Sequence, residues 1–240
     1  IFRKENLTLS LTGEFNFKSL LEGEMLQFNR VLYEMPCVKA VPTFNMEKKN
    51  EGFKTASKVQ YVASGGCFEK EGQEYTGALK VLKTIFSYDY LWVNVRVTGG
   101  AYGCMCSFSR NGYGFFTSYR DPNLSATLNV YKKAAEYVRN FEAGQRDMTK
   151  YIIGTISGID QPLEPAALGD RSFHAYQSGV TVEMIQKERN QVLDATEETI
   201  RSLAGYIETM MDAGTVCAIG NDRKLEEEKE LFKQVSSLTQ

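Results

Sequence analysis

A single histidine, His174, stands in the whole chain of 240 residues. A zinc site that needs two imidazoles cannot be built from it. Within RSFHAYQ, on an expected helix, His174 is read as packed or solvent-facing. Cysteine is sparse and odd in number: Cys37, Cys67, Cys104, Cys106 and Cys217 do not make a secreted disulfide framework, so a reducing compartment is expected, the cytoplasm first. Cys104 and Cys106 share one face of an expected strand, but no second Cys or His pair stands at ligand spacing, and the pair reads as buried thiols. Cys67, after Gly65-Gly66, has no histidine partner that would make it a nucleophile. There is no Gly-x-Ser-x-Gly elbow and no Walker loop; Gly99-x-x-x-Gly103 resembles a phosphate loop only loosely. Excess charge is missing too. With 28 basic and 30 acidic residues the net charge is −2, which gives no surface for nucleic acid or for an anionic membrane. No apolar run is long enough to span a bilayer. No signal peptide opens the chain, and its start at Ile1 leads us to expect upstream sequence. On its own the chain is expected to do no chemistry.

What is present is a globular composition, 42% hydrophobic and 12% aromatic, long enough for one large or two small domains with a sizeable core. Its most informative stretch runs from Tyr90 to Pro122, YLWVNVRVTGGAYGCMCSFSRNGYGFFTSYRDP. Leu79, Leu82, Phe86 and Val93 recur at helical spacing and predict an amphipathic helix from about Tyr75 to Val95. Gly99-Gly100 should stop it. CMCSFSR and GFFTSYR then read as two strands about Asn111-Gly112, a dipeptide that favours a tight hairpin with positive φ at both positions. Asp121-Pro122 should open the next helix as N-cap and first-turn proline.

Arg96 and Tyr102 flank the glycine break. In one reading Arg96 is a helix C-terminal charge and Tyr102 a half-buried strand residue. In the other, the glycines let a guanidinium and a phenol converge where they could hold a peptide carbonyl and the oxyanion it becomes.

Around them, NLTLSLTG (residues 6–13) alternates like a strand with one buried face, and Phe17, Leu20, Leu21, Met25, Phe28 and Leu32 mark a helix. Residues 35–54 lack periodicity and read as a linker; Val59 to Ala63 reads as a strand. Helical stripes follow at Leu124–Val138 and Tyr151–Ile159. Gln161–Gly169 reads as a loop. Gly179 and Thr181 should separate two helices, and Thr196 should cap a third. TVCAI (215–219) is a last strand, and Asp222 should start a last helix carrying Leu225, Leu231, Phe232 and Val235, with KLEEEKE as its solvated face. The strand-glycine-helix units near the two ends echo each other. Helices segregated from strands predict an α+β fold: a mixed or antiparallel sheet covered mainly on one face by helices.

VRVTGGAYG followed by F-x-R-x-G-Y-x-x-x-x-S-Y-R-D-P resembles the inverted-motif zinc metallopeptidases of the insulinase and pitrilysin type, in particular the presequence-protease-like branch. Weaker similarity runs through Ser178-Gly179, Lys187-Glu188-Arg189 and VCAIGN. The resemblance implies a C-terminal portion of a longer zinc endopeptidase for short, unstructured peptides. Arg96 and Tyr102 match the family's arginine and tyrosine that reach a zinc site on the N-terminal half. The family's H-x-x-E-H motif is absent, so zinc is expected in the full-length enzyme and none on this chain. The N-terminal half of the same polypeptide and a peptide substrate are the implied partners, with no nucleic acid and no membrane. Residues 1–34 would be the tail of a preceding domain, 35–54 a linker and 55–240 the last domain. The location would be cytoplasmic, or alternatively an organelle matrix. Two other readings are a catalytically inactive scaffold or peptide-binding member of the same fold, and an unrelated cytosolic interaction module.

Overall fold

The computed structural model describes residues 3–14, 16–35, 41–45, 47–70, 72–212 and 214–238, apart from the Leu20 side chain. Cys37 lies outside the described residues. In chain order the elements are α1 (Phe17–Glu22), α2 (Glu24–Val31), β1 (Glu51–Thr55), β2 (Gln60–Cys67), α3 (Ala78–Ile85), β3 (Gly103–Phe108) and β4 (Tyr113–Asp121). They continue with α4 (Ser125–Lys132), α5 (Ala134–Arg139), α6 (Gln145–Ile159), α7 (Pro165–Gln177), α8 (Val182–Leu193), α9 (Glu197–Ser202) and α10 (Ala204–Asp212). β5 (Thr215–Asn221), α11 (Asp222–Glu227) and β6 (Gln234–Ser237) close the chain. The chain divides into two compact units, residues 1–46 with 161–184, and residues 47–160 with 185–240.

The smaller unit departs from the expected strand. Residues 7–12 join no ladder among the described residues; Lys4–Asn6 is a 3-10 turn, and an isolated bridge joins Arg3 to Tyr33. Alternation alone cannot make a strand without a neighbouring edge to bond to. The expected helix exists but breaks at Gly23 into α1 and α2, with Asn16 capping the first through Ser19 N at 3.2 Å. At the end of α7, Gly179 takes φ +67° and Val180 N donates to Ala175 O at 2.9 Å, a glycine C-cap. Thr181 Oγ1 then accepts from Met184 N at 3.3 Å.

The larger unit is a six-stranded mixed sheet in the order β3-β4-β2-β5-β1-β6, antiparallel from β3 to β5 and parallel on both sides of β1. This is the expected α+β arrangement. Val62, Phe116 and Ala218 point into one face, where α3, α4 and α10 cover them. Phe116 lies edge-on to Phe86 at 5.4 Å and stacks on Tyr131 at 5.3 Å; all three rings are fully buried. Each such ring contributes about 1.5–3 kcal/mol by leaving water. The other face stays open and carries Tyr61, Met105, Tyr113, Phe115 and Ile219 at its exposed positions.

Four details correct the sequence reading. Glu51–Lys54, placed in the linker, belong to β1. The last helix ends at Glu227; Leu231 closes a 3-10 turn and Val235 lies in β6, parallel to β1. Phe232 is the reason: its ring packs 3.2 Å from where a Cβ on Gly52 would stand, and this draws the chain back onto β1. At the hairpin only Gly112 has positive φ (80°), because the loop is Ser109–Gly112 with Gly112 N donating to Ser109 O at 3.1 Å. Asp121 ends β4 and the next helix starts at Ser125, with no side-chain N-cap.

The helix after Ile85 differs most. Phe86–Tyr90 and Trp92–Thr98 wind as π-helix, with Leu91 between them. Its buried positions are Phe86, Leu91 and Val95, while Val93 is exposed. That five-then-four spacing follows i→i+5 winding and is why the α-periodic expectation for Val93 fails. Among the described residues no helix is long and apolar enough to cross a membrane.

Candidate functional site

The π-helical turn carries Arg96 to the end of the sheet, and its closure decides what Arg96 meets. Gly100 N donates to Arg96 O at 2.9 Å and Ala101 N to Val95 O at 3.1 Å, each bond spanning one residue more than in a Schellman cap. Gly100 supplies the required positive φ, 79°. Gly103, the first residue of β3, sits beneath Tyr119: a Cβ there would stand 2.2 Å from that ring. Only glycine lets Tyr119 lie across the edge strand, where it meets Tyr102 edge-on at 5.3 Å.

Arg96 and Tyr102 do come together. Arg96 Nε donates to the Tyr102 carbonyl at 3.0 Å, and the guanidinium lies 3.8 Å over the Trp92 ring. One donor is thus used to tie the two residues, and the ring below fixes the guanidinium plane. The two Nη groups and the Tyr102 hydroxyl make no hydrogen bond among the described residues, and Tyr102 is 59% exposed. The pair thus has a backbone tie beneath and open donors above, while Tyr102, expected half-buried in a strand, is exposed and precedes β3. With Val97, Gly100, Ala101 and Arg120 they line a shallow depression of about 510 Å³.

Arg120 was not singled out by sequence, although it lies inside SYRDP. Between the pairs Gln60↔Asp121 and Val62↔Ser118, one residue of β2 faces two of β4, so β4 carries a bulge at Tyr119–Arg120. Arg120 has φ 48°, the only positive value among described non-glycine residues. That backbone costs an L-residue about 1–2 kcal/mol. It is held from below. Asp121, wholly buried, accepts from Ser118 Oγ at 2.6 Å, Thr127 Oγ1 at 2.7 Å and Asn123 N at 2.9 Å. Asn123 Nδ2 in turn donates to Gly99 O at 2.6 Å, joining the bulge to the glycine break.

Other residues of the same motif do structural work. Arg110, of F-x-R-x-G-Y, makes a two-pronged bond to Glu188 at 2.5 and 2.8 Å, and Lys80 adds a third contact at 2.9 Å. Burial raises the Glu188 carboxyl, but the bonds from Arg110 and Lys80 outweigh it and hold its pKa below the ordinary value. Arg189 clasps Asp160 in the same way, at 2.6–3.1 Å.

Among the described residues Cys67, Cys104, Cys106 and Cys217 are free thiols. Cys104 and Cys106 share the helix-covered face; burial raises the first and pushes the second up to about 12. His174 is exposed on α7. Among the described residues no three of His, Cys, Asp and Glu gather to hold a metal ion. These residues do not fit a zinc site.

Comparison with known proteins identifies relatives of the chain as a whole. The profile of the PreP C-terminal domain matches residues 50–222. Protein HypA of Clostridium perfringens is 41% identical over 242 residues, covering 99% of this chain and 24% of its own length. Presequence protease 1, chloroplastic/mitochondrial, of Arabidopsis thaliana is 34% identical over 223 residues, 92% of this chain and 21% of its own. The chain thus spans about a quarter of the length of the curated relatives it matches. In fold it is similar to a peptidase M16 inactive domain from Pseudomonas fluorescens, with TM-score 0.61 at 15% identity, covering 85% of this chain and 51% of that one.

Proposed function

The chain belongs to the PreP C-terminal domain family, and from that premise we propose that it is the non-zinc-binding portion of a zinc metalloendopeptidase. In this reading it lends Arg96 and Tyr102 to a zinc site held by an N-terminal half of the same longer protein. The observation that carries it is the open donor set: two Nη groups and a phenol, unbonded among the described residues, on two residues that line one depression, with the guanidinium already fixed by Trp92 and by the Tyr102 carbonyl. A fixed donor pair needs little reorganisation as charge develops on a substrate oxygen, which is where such donors act most strongly. The guanidinium would hold a peptide carbonyl of the substrate, and the Tyr102 hydroxyl would donate to the oxygen that becomes anionic.

The open face of the sheet supports a peptide as the substrate. Tyr61, Met105, Phe115 and Ile219 offer exposed apolar groups on the sheet of the same unit as the Arg96–Tyr102 depression. We also read residues 1–34 as the tail of a preceding domain, since Leu7 and Leu9 alternate in an extended run that lacks a ladder partner among the described residues. The organelle matrix, the alternative to a cytoplasmic location, gains weight from the name of the Arabidopsis relative.

The test uses the full-length protein. Arg96→Ala and Tyr102→Phe should each lower peptide turnover by roughly 10²–10³, the usual effect of removing one such donor, with unfolding unchanged. Activity that merely tracks a lowered melting temperature would return both residues to a structural role.

A further inference from the structure

The bulge in β4 changes which way a charge points. Along β4 the faces alternate regularly up to Ser118, which is buried. Without an inserted residue, Tyr119 would face out and Arg120 would face in. With the bulge, Tyr119 is half-buried, Arg120 is exposed and Asp121 returns to the interior. Arg120 then reaches the ring of Tyr102, with its guanidinium carbon 5.5 Å from the centroid. Two guanidiniums and one phenol thus line a depression with no carboxylate in its wall. Among the described residues neither Arg96 nor Arg120 forms an ion pair, whereas Lys54, Lys80, Arg110, Arg189 and Lys224 of this unit do. The one carboxylate beneath, Asp121, already accepts three hydrogen bonds and faces away. A strained backbone that turns an unpaired arginine outward beside two other polar tips is a feature that packing alone does not require.

We propose that Arg120 is a specificity-determining residue of this site, which binds a carboxylate of the peptide substrate. Arg96 remains for the peptide carbonyl and Arg120 takes the anion, a pairing that guanidinium geometry favours. The carboxylate is either an acidic side chain or the substrate's own C-terminus. The inference rests on the function proposed above.

The experiment measures kcat/KM of the full-length protein on matched peptides. In one arm a glutamate is moved through the sequence and compared with glutamine at each place; in the other a free C-terminus is compared with its amide. The carboxylate form should be preferred about ten- to a hundredfold in one arm, which identifies its source. Arg120→Gln and Arg120→Gly should abolish the preference, and Arg120→Lys should keep part of it. Glycine suits the left-handed backbone, so the melting temperature of Arg120→Gly should not fall, and loss of preference there cannot be blamed on misfolding. Discrimination that is absent in the wild type, or unchanged in all three variants, would overturn the proposal. Arg96→Ala, run alongside, separates the two claims. If it loses turnover on every peptide while the Arg120 variants keep their discrimination, only the role of Arg120 falls. If it retains full turnover, the proposed function falls.

Discussion

Arg110 and Arg96 lie fourteen positions apart in one motif, and their surroundings are opposite. Arg110 ends in Glu188, whose side chain is 7% exposed and is held also by Lys80. Arg96 meets no acid among the described residues; it is stacked on Trp92 and tied to a backbone carbonyl. Arg120, ten further on, likewise has an aromatic ring beside it and no acid. Motif membership therefore does not assign a role. An arginine whose carboxylate partner is in its own chain is fixed for folding. One braced by aromatic and backbone groups has donors left over, which the proposed function assigns to a substrate.

The sharpest way to break this comparison is on the Arg96 side, where the expected loss of turnover, about 10²–10³, is larger than any effect elsewhere in the motif. Turnover unaffected by Arg96→Ala would erase the distinction altogether. On the other side the expected effect is on folding. Arg110→Met leaves Glu188 buried with Lys80 alone, so urea unfolding should show a loss of about 2–4 kcal/mol, toward the range for breaking a buried pair. Its effect on turnover should follow stability only. An Arg110 variant that folds normally but fails to cleave would place Arg110 in the site.

The pH dependence of stability gives a smaller effect with a definite sign. Glu188 has its carboxyl pKa lowered from the ordinary 4.5 in the folded protein, because Arg110 and Lys80 outweigh the opposing effect of burial. Its contribution is therefore fully present above the unfolded value. It is lost as pH falls through the lower folded value. Glu188→Gln should be less stable than wild type at neutral pH, and the gap should narrow in acid below about pH 4. A gap that widens in acid would mean that Glu188 is not ionised in the folded state.

How far all this could be read from sequence depends on where the determining contact lies. The sheet, the helical cover and the central hairpin were legible, because alternation and periodicity are local and survive packing. The Thr196 cap and the Gly179 stop were legible for the same reason. The π-helical winding is not legible from α-periodicity, which favours Val93, although Phe86, Leu91 and Val95 carry the longer spacing. β6 was missed because its strand pairing is with β1, about 180 residues away, and nothing local marks it. Arg96 and Tyr102 could be singled out because a glycine pair stands between them. Arg120 could not, because its exposure follows from a bulge opposite β2, a register property of two strands far apart in sequence.

The smallest expected effect concerns the brace under Arg96. Trp92 stands one turn before Arg96, and its ring is 3.8 Å from the guanidinium carbon. At a half-exposed position such a contact contributes about 0.5–1 kcal/mol, so Trp92→Leu should lower kcat/KM only about two- to fivefold. Trp92→Phe, which keeps an aromatic face, should lie between leucine and wild type. Trp92 is 41% exposed and lies on the outer side of the π-helical turn, so neither variant should disturb folding, and thermal melts would verify this. The graded order Trp, Phe, Leu in kcat/KM with constant melting temperature is what an aromatic brace requires. Equal loss in both variants would show that the indole ring serves by its shape or its N–H, and that Arg96 is held by the Tyr102 carbonyl alone.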